Sequence, residues 1–122
     1  MPKPPKNSPT LNPRIRIYVG KEIAMGPGKV DLLRLVAETG SLSEAARRMK
    51  MSYMRAWLMV KVMNRCFREP LLTTERGGAS GGGAQLTECG RQALELYDQM
   101  ERQSLAVMEK PWKAFQAILK KE

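Results

Sequence analysis

Gly40-Ser41-Leu42-Ser43-Glu44-Ala45-Ala46-Arg47-Arg48-Met49-Lys50-Met51-Ser52-Tyr53-Met54-Arg55-Ala56-Trp57 decides the fold. Two helix starts lie eleven residues apart in it. Ser41 is a capping residue with Glu44 three positions on, the spacing of a capping box. Ser52 is a second capping residue. The first helix therefore lasts only about two turns, to Met49 or Lys50, with Leu42, Ala45, Ala46 and Met49 on its inner face. Small residues at Ala45 and Ala46 let the next helix approach closely. That helix is predicted from Tyr53 to about Phe67, with Ala56, Val60, Met63 and Phe67 inward at steps of four, three and four. Arg55, Leu58, Lys61, Arg65 and Arg68 share another face, which carries four cations.

Upstream, Val30, Leu33, Val36 and Ala37 have helical spacing within Lys29 to Thr39, widened by Leu32 and Leu35, and Gly40 supplies the stop. Before that helix, Arg14 to Val19 alternates Ile15, Ile17 and Val19 with Arg14, Arg16 and Tyr18, the period of a half-buried strand. Gly20 ends it, and Met25 to Gly28 forms a turn. Residues 1–13 hold five of the eight prolines and are read as a flexible basic arm.

Downstream, Pro70 blocks helix continuation and Leu71 to Arg76 reads as a strand. Five glycines lie among the seven residues Gly77 to Gly83, and Ala84-Gln85-Leu86 is the returning strand of a β-hairpin. Thr87 caps a final long helix whose stripe runs Leu94, Tyr97, Met100, Leu105, Met108, Trp112, Phe115 and Leu119, kinked or divided at Pro111. The fold class is mainly α with a small β-hairpin. Helix, short helix, turn, basic helix, strand, glycine loop and strand make a winged helix-turn-helix with a long C-terminal dimerisation helix. The domains divide as 1–13 arm, 14–87 DNA-binding domain and 88–122 helical dimerisation region.

Charge agrees with a nucleic-acid partner. The 122 residues carry a formal net charge of +9, which points to polyanions. Eight bases oppose three acids between Ser41 and Arg76, whereas three bases face five acids between Gly77 and Lys110. Histidine is absent, and Cys66 and Cys89 form no CxxC pair. A metal centre is not expected, no cofactor is required, and the two thiols are either reduced or a single disulfide. No apolar run approaches the length of about 18 residues that spans a membrane, and no signal segment opens the chain. A cytoplasmic protein with no membrane partner follows as an expectation. No set of nucleophile, base and orienting group is visible, so an enzyme is the weakest reading.

The candidate DNA-binding residues are Ser41, Ser43, Ser52, Tyr53, Met54, Arg55, Lys61, Arg76, Gly77, Gly78, Gly81, Gly82 and Gly83. Arg55 has two partners open to it, a guanine edge or a phosphate. Ser52 is a cap alone or also a phosphate ligand. Tyr53 contacts the DNA backbone or packs at the domain edge. Trp57 is expected in the core. Lys61, with Arg47, Arg48, Lys50 and Arg65, is a phosphate partner or a solvated surface cation. The glycine loop is a wing or a plain flexible connector. A nucleotide loop is disfavoured, because no GK[ST] follows it. Leu105, Met108, Trp112 and Phe115 are the candidate dimer interface, since Leu94 and Tyr97 are needed to hold the long helix to its own domain.

Gly40-Ser41-Leu42-Ser43-x-Ala45-Ala46, Met51-Ser52-Tyr53-x-x-Ala56-Trp57, Met63-Asn64, the glycine run with Ala84-x-Leu86-Thr87-x-x-Gly90, and Leu94-x-x-Tyr97 occur in that order. They resemble the N-terminal DNA-binding domain of the ModE-type molybdate-responsive regulators, over roughly residues 14–110. The first half also resembles the LysR-type helix-turn-helix. The resemblance implies a homodimer on a palindromic operator in double-stranded DNA. It implies recognition by Ser52, Tyr53 and Arg55, a wing tip at Gly77–Gly83, and a dimer interface on the helix after Thr87. The oxyanion-binding domains of that family would follow this region, so molybdate is not expected to bind this chain. The chain is read as a stand-alone domain or a truncation. The principal reading is a sequence-specific transcriptional regulator, with a faint link to molybdenum genes. The alternatives are an architectural or nonspecific DNA-binding protein of the same fold, or an interaction module.

Overall fold

The computed structural model describes residues 8–75 and 83–121. It runs β1 (Ile17–Val19), β2 (Glu22–Met25), α1 (Pro27–Thr39), α2 (Leu42–Arg48), α3 (Tyr53–Cys66), β3 (Leu72–Thr74), β4 (Ala84–Leu86), α4 (Glu88–Val107) and α5 (Glu109–Ile118). This is the winged helix-turn-helix, mainly helical with a small antiparallel hairpin and a long C-terminal helix.

The first strand is shorter than its alternation suggests, and β2, which the sequence did not signal, pairs with it antiparallel across a bulge between Ile17 and Tyr18. Gly20 turns the chain at φ +62, a left-handed backbone that glycine adopts without steric cost. Ile15 and Ile17 pack against the core, but Val19, expected inward, is exposed at the hairpin tip, where it pairs with Glu22 beside the turn. Ala37, also placed on the inner face, is exposed too. The apolar line of α1 is carried instead by Val30, Leu32, Leu33 and Val36, all buried. Pro27 opens α1, where its missing N–H is no loss, and Gly40 closes it at φ +70.

α2 and α3 form the predicted pair. The Ser41 hydroxyl accepts the Glu44 N–H at 3.1 Å, but the reciprocal half of the capping box is absent. The Ser41 N–H donates to Thr39 Oγ1 instead, and the Glu44 carboxylate is taken by Arg47 and Arg48. Lys50 sits in the intervening turn at φ +57, a left-handed conformation that only a few per cent of non-glycine residues adopt. Ala45, Ala46, Ala56, Val60 and Met63 are buried where the two helices meet. Most of the core is thus supplied by α1, α2 and α3, closed beneath by Leu71, Leu72, Ala84 and Leu86.

β3 and β4 pair with Leu72 opposite Leu86 and Thr74 opposite Ala84. Thr87 caps α4 through the Gly90 N–H and donates its own hydroxyl to the Pro70 carbonyl at 2.6 Å. The early turns of α4 join the core through buried Gly90 and Tyr97, and the Tyr97 hydroxyl donates to the Ile15 carbonyl at 2.7 Å. Pro111 does divide the last helix. It can give no hydrogen bond to the Val107 carbonyl and its ring crowds that group. α4 accordingly ends at Val107, and α5 restarts with Pro111 in its first turn.

Candidate nucleic-acid interface

The leading end of α3 is built by its cap. The Ser52 hydroxyl accepts the Arg55 N–H at 3.1 Å. That bond satisfies one of the donors left open at a helix start and squares the first turn to solvent. Tyr53, Met54 and Arg55 are all exposed there. Arg55 forms no ion pair among the described residues, so its guanidinium is available to a ligand. Ser41 is half-buried at the start of α2, and Ser43 is exposed one turn into it.

The other cations differ in their commitments. Arg47 and Arg48 both hold Glu44, and their guanidinium groups depress its carboxyl to about 2. Arg48 also reaches Glu38. Arg65 pairs with Glu22 on β2 and lowers that carboxyl as well. These pairs are exposed and individually weak, so each can be exchanged for a phosphate. Lys61 holds its ammonium 4.9 Å from the Trp57 ring centroid, a cation–π contact.

Trp57 corrects the sequence reading. Expected in the core, it is 37% exposed. It sits one step around the helix from the buried line of Ala56, Val60 and Met63, at the rim rather than beneath it. With Tyr53, Met54, Thr74 and Glu75 it lines a shallow cleft between the start of α3 and the end of β3. Thr74 and Glu75 carried no signal of their own in the sequence, because only the hairpin brings them beside α3.

Asn64 sets the angle between α3 and the hairpin. Its amide oxygen accepts the Leu71 N–H at 2.8 Å, and its amide nitrogen donates to the Leu72 carbonyl at 3.1 Å. The strand is therefore hung from the last turn of α3. Gly83 opens β4 with its carbonyl accepting the Glu75 N–H at 2.8 Å, and the Ala84 N–H donates to the Gly40 carbonyl at 2.9 Å. Arg76, Gly77, Gly78, Gly81 and Gly82 lie outside the described residues.

The candidate interface residues of the C-terminal helices are not gathered with these. Leu105 and Phe115 are exposed, while Met108 and Trp112 are half-buried around the α4–α5 junction. Cys66 and Cys89 are free thiols. Burial raises the Cys66 pKa, and the neighbouring Glu22 carboxylate, which accepts its S–H, raises it further. Among the described residues no cluster of side chains could hold a metal ion, and no helix is long and apolar enough to cross a membrane.

Known proteins are similar to this chain in sequence. The ModE transcriptional regulator of Haemophilus influenzae is 36% identical over 88 residues, covering 72% of this chain and 34% of that protein. The molybdenum-pterin-binding protein MopB of Rhodobacter capsulatus is 42% identical over 77 residues, 63% of this chain and 28% of its own length. The DNA-binding transcriptional dual regulator ModE of Escherichia coli is 34% identical over 84 residues, 69% of this chain and 32% of that protein. The chain thus spans about a third of the length of the curated relatives it matches. The model of the bacterial regulatory helix-turn-helix proteins of the lysR family matches residues 29–91, from the first turn of α1 to the first turn of α4. With the helix pair, the caps and the wing strands all falling inside that span, the chain belongs to the lysR family of bacterial regulatory helix-turn-helix proteins.

Proposed function

We propose that this chain is the DNA-binding part of a transcriptional regulator that reads double-stranded DNA as a homodimer, in the cytoplasm and without chemistry of its own. The observation that carries the reading is the leading end of α3. It is capped, solvent-facing and bears an unpaired Arg55 on a helix of the size that enters a major groove. Lys61, Arg47 and Arg48, from the same basic segment Ser41 to Arg76, supply phosphate contacts. Arg76 and the glycines of 77–83 would extend the contact along the backbone as the wing. The names of the relatives, molybdenum transport and molybdenum-pterin binding among them, favour target genes in molybdenum handling.

Dimerisation is proposed through the far part of α4 and α5, where Leu105, Met108, Trp112 and Phe115 carry apolar surface that the chain's own core does not cover. A two-fold axis there would offer two recognition helices to a palindrome. Selection from a random duplex library, followed by competition binding, tests the reading. A palindromic consensus is expected, and Arg55→Ala should cost on the order of 1–3 kcal/mol at the best site, while Lys61→Ala weakens all sequences alike. Equal binding of every duplex would make this an architectural DNA-binding protein instead.

A further inference from the structure

We infer that Met54 and Leu58 read thymine methyl groups, so that T·A pairs in the half-site are selected by apolar contact. This rests on the proposed reading of α3 as a recognition helix and specifies what that helix detects.

α3 buries Ala56, Val60 and Met63. With 3.6 residues per turn, the ridge pointing directly away from that line is Met54, Leu58, Lys61 and Arg65, at steps of four, three and four. This ridge enters a groove deepest. Its leading half is apolar and open, with Met54 61% and Leu58 50% exposed. Tyr53 and Trp57 extend the apolar surface along one flank, and Arg55 stands on the other. The result is an apolar patch in the middle of a basic segment, in which eight bases oppose three acids between Ser41 and Arg76.

Hydrogen-bonding readers are scarce on the same helix. Asn and Gln are the side chains suited to an adenine edge. The single one in α3, Asn64, is committed to Leu71 and Leu72. The Ser52 hydroxyl already accepts from the Arg55 N–H, and Arg65 is engaged with Glu22. Among the described residues Arg55 is left as the one uncommitted guanidinium at the leading end. Among the groups that base pairs present in the major groove, the thymine C5-methyl is the apolar one. An exposed Met–Leu ridge flanked by phosphate-seeking cations is complementary to that methyl and to no other base edge.

Deoxyuridine differs from thymine only by this methyl, so it isolates the contact. The test uses the selected duplex in two forms, one with thymine and one with deoxyuridine throughout the half-sites, bound by the wild-type chain and by Met54→Ala and Leu58→Ala. Both positions are exposed, and unchanged thermal melting would verify that the variants fold. Wild type should lose about fourfold in affinity per contacted methyl. Each variant should bind the thymine duplex more weakly and show a smaller thymine-to-deoxyuridine ratio. Equal wild-type binding of the two duplexes overturns the inference, as does an undiminished ratio in both variants. A consensus bound equally in both forms would sink this inference alone; no consensus at all would sink the regulator reading with it.

Discussion

The two ends of this molecule solve opposite problems. From Ile15 to Tyr97 the chain buries its own apolar residues, and almost every large one that stays exposed lies on the β1 tip or on α3. From Leu105 onward no residue is fully buried, and Leu105, Val107, Phe115, Ile118 and Leu119 are open to solvent. The first region is closed by caps, by the Asn64 clamp and by the hairpin. The second is held by helix propensity and local ion pairs such as Lys113 with Glu109, which are weak on a surface. An amphipathic stripe without a cover is unfinished, whereas an exposed patch on a completed, basic helix-turn-helix is a contact surface. On the proposed reading, the first region recognises DNA and the second assembles.

Met63→Ala should break the self-sufficient half, because Met63 is fully buried between α3 and the rest of the core. A loss of about 3 kcal/mol is expected in urea unfolding. A change below about 1 kcal/mol would mean that this core does not carry the fold. Gly90→Ala attacks the seat of α4 against the segment before β3, within the same half. A Cβ there would collide with the Leu71 carbonyl oxygen, forcing α4 off β3 at a cost of about 2 kcal/mol, with a lowered melting temperature as the readout.

Phe115→Ala sharpens the contrast from the other side. At 59% exposure it should change the unfolding free energy of dilute protein by less than about 0.5 kcal/mol, yet shift sedimentation toward monomer at high concentration. Truncation after Arg102 should abolish the dimer and tight binding to a palindrome. A truncated chain that sediments as a dimer would remove assembly from these helices.

The smallest effect is expected at Glu44. Its folded pKa, about 2, lies below the ordinary value of 4.5. Its pairing with Arg47 and Arg48 therefore stabilises above about pH 4.5 and fades as pH falls toward 2. Glu44→Gln should flatten the pH dependence of melting in that window. At neutral pH and low salt it should also raise DNA affinity a few-fold, by releasing Arg47 and Arg48 to phosphates. Unchanged affinity with a flattened melting profile would assign those arginines to α2 alone.

Much of this was legible before any coordinates. Ser41, Ser52 and Thr87 announce three helix starts because a capping hydroxyl is a local device, needing only the N–H groups two or three residues on. Gly40 and Pro111 likewise act on their own backbone, and the buried steps of α3 follow from helical periodicity alone. Other features depended on residues distant in the chain. Arg65 reads from its position as a phosphate partner or a solvated cation, but Glu22 on β2 comes alongside to pair with it. The strand β2 exists because β1 and α3 give it edges to lie against, which no periodicity in four residues conveys. Trp57 was read inward by its size, and only the placement of Val60 and Met63 against α1 and α2 decided where the core ended. The sequence by itself therefore determined the helices, their caps and the order of the winged unit, since those follow from contacts within a few residues. The tertiary contacts settled that Arg65 is spoken for by Glu22, how the hairpin meets α3 and which apolar side chains are left facing out, since each depends on what a distant segment brings alongside.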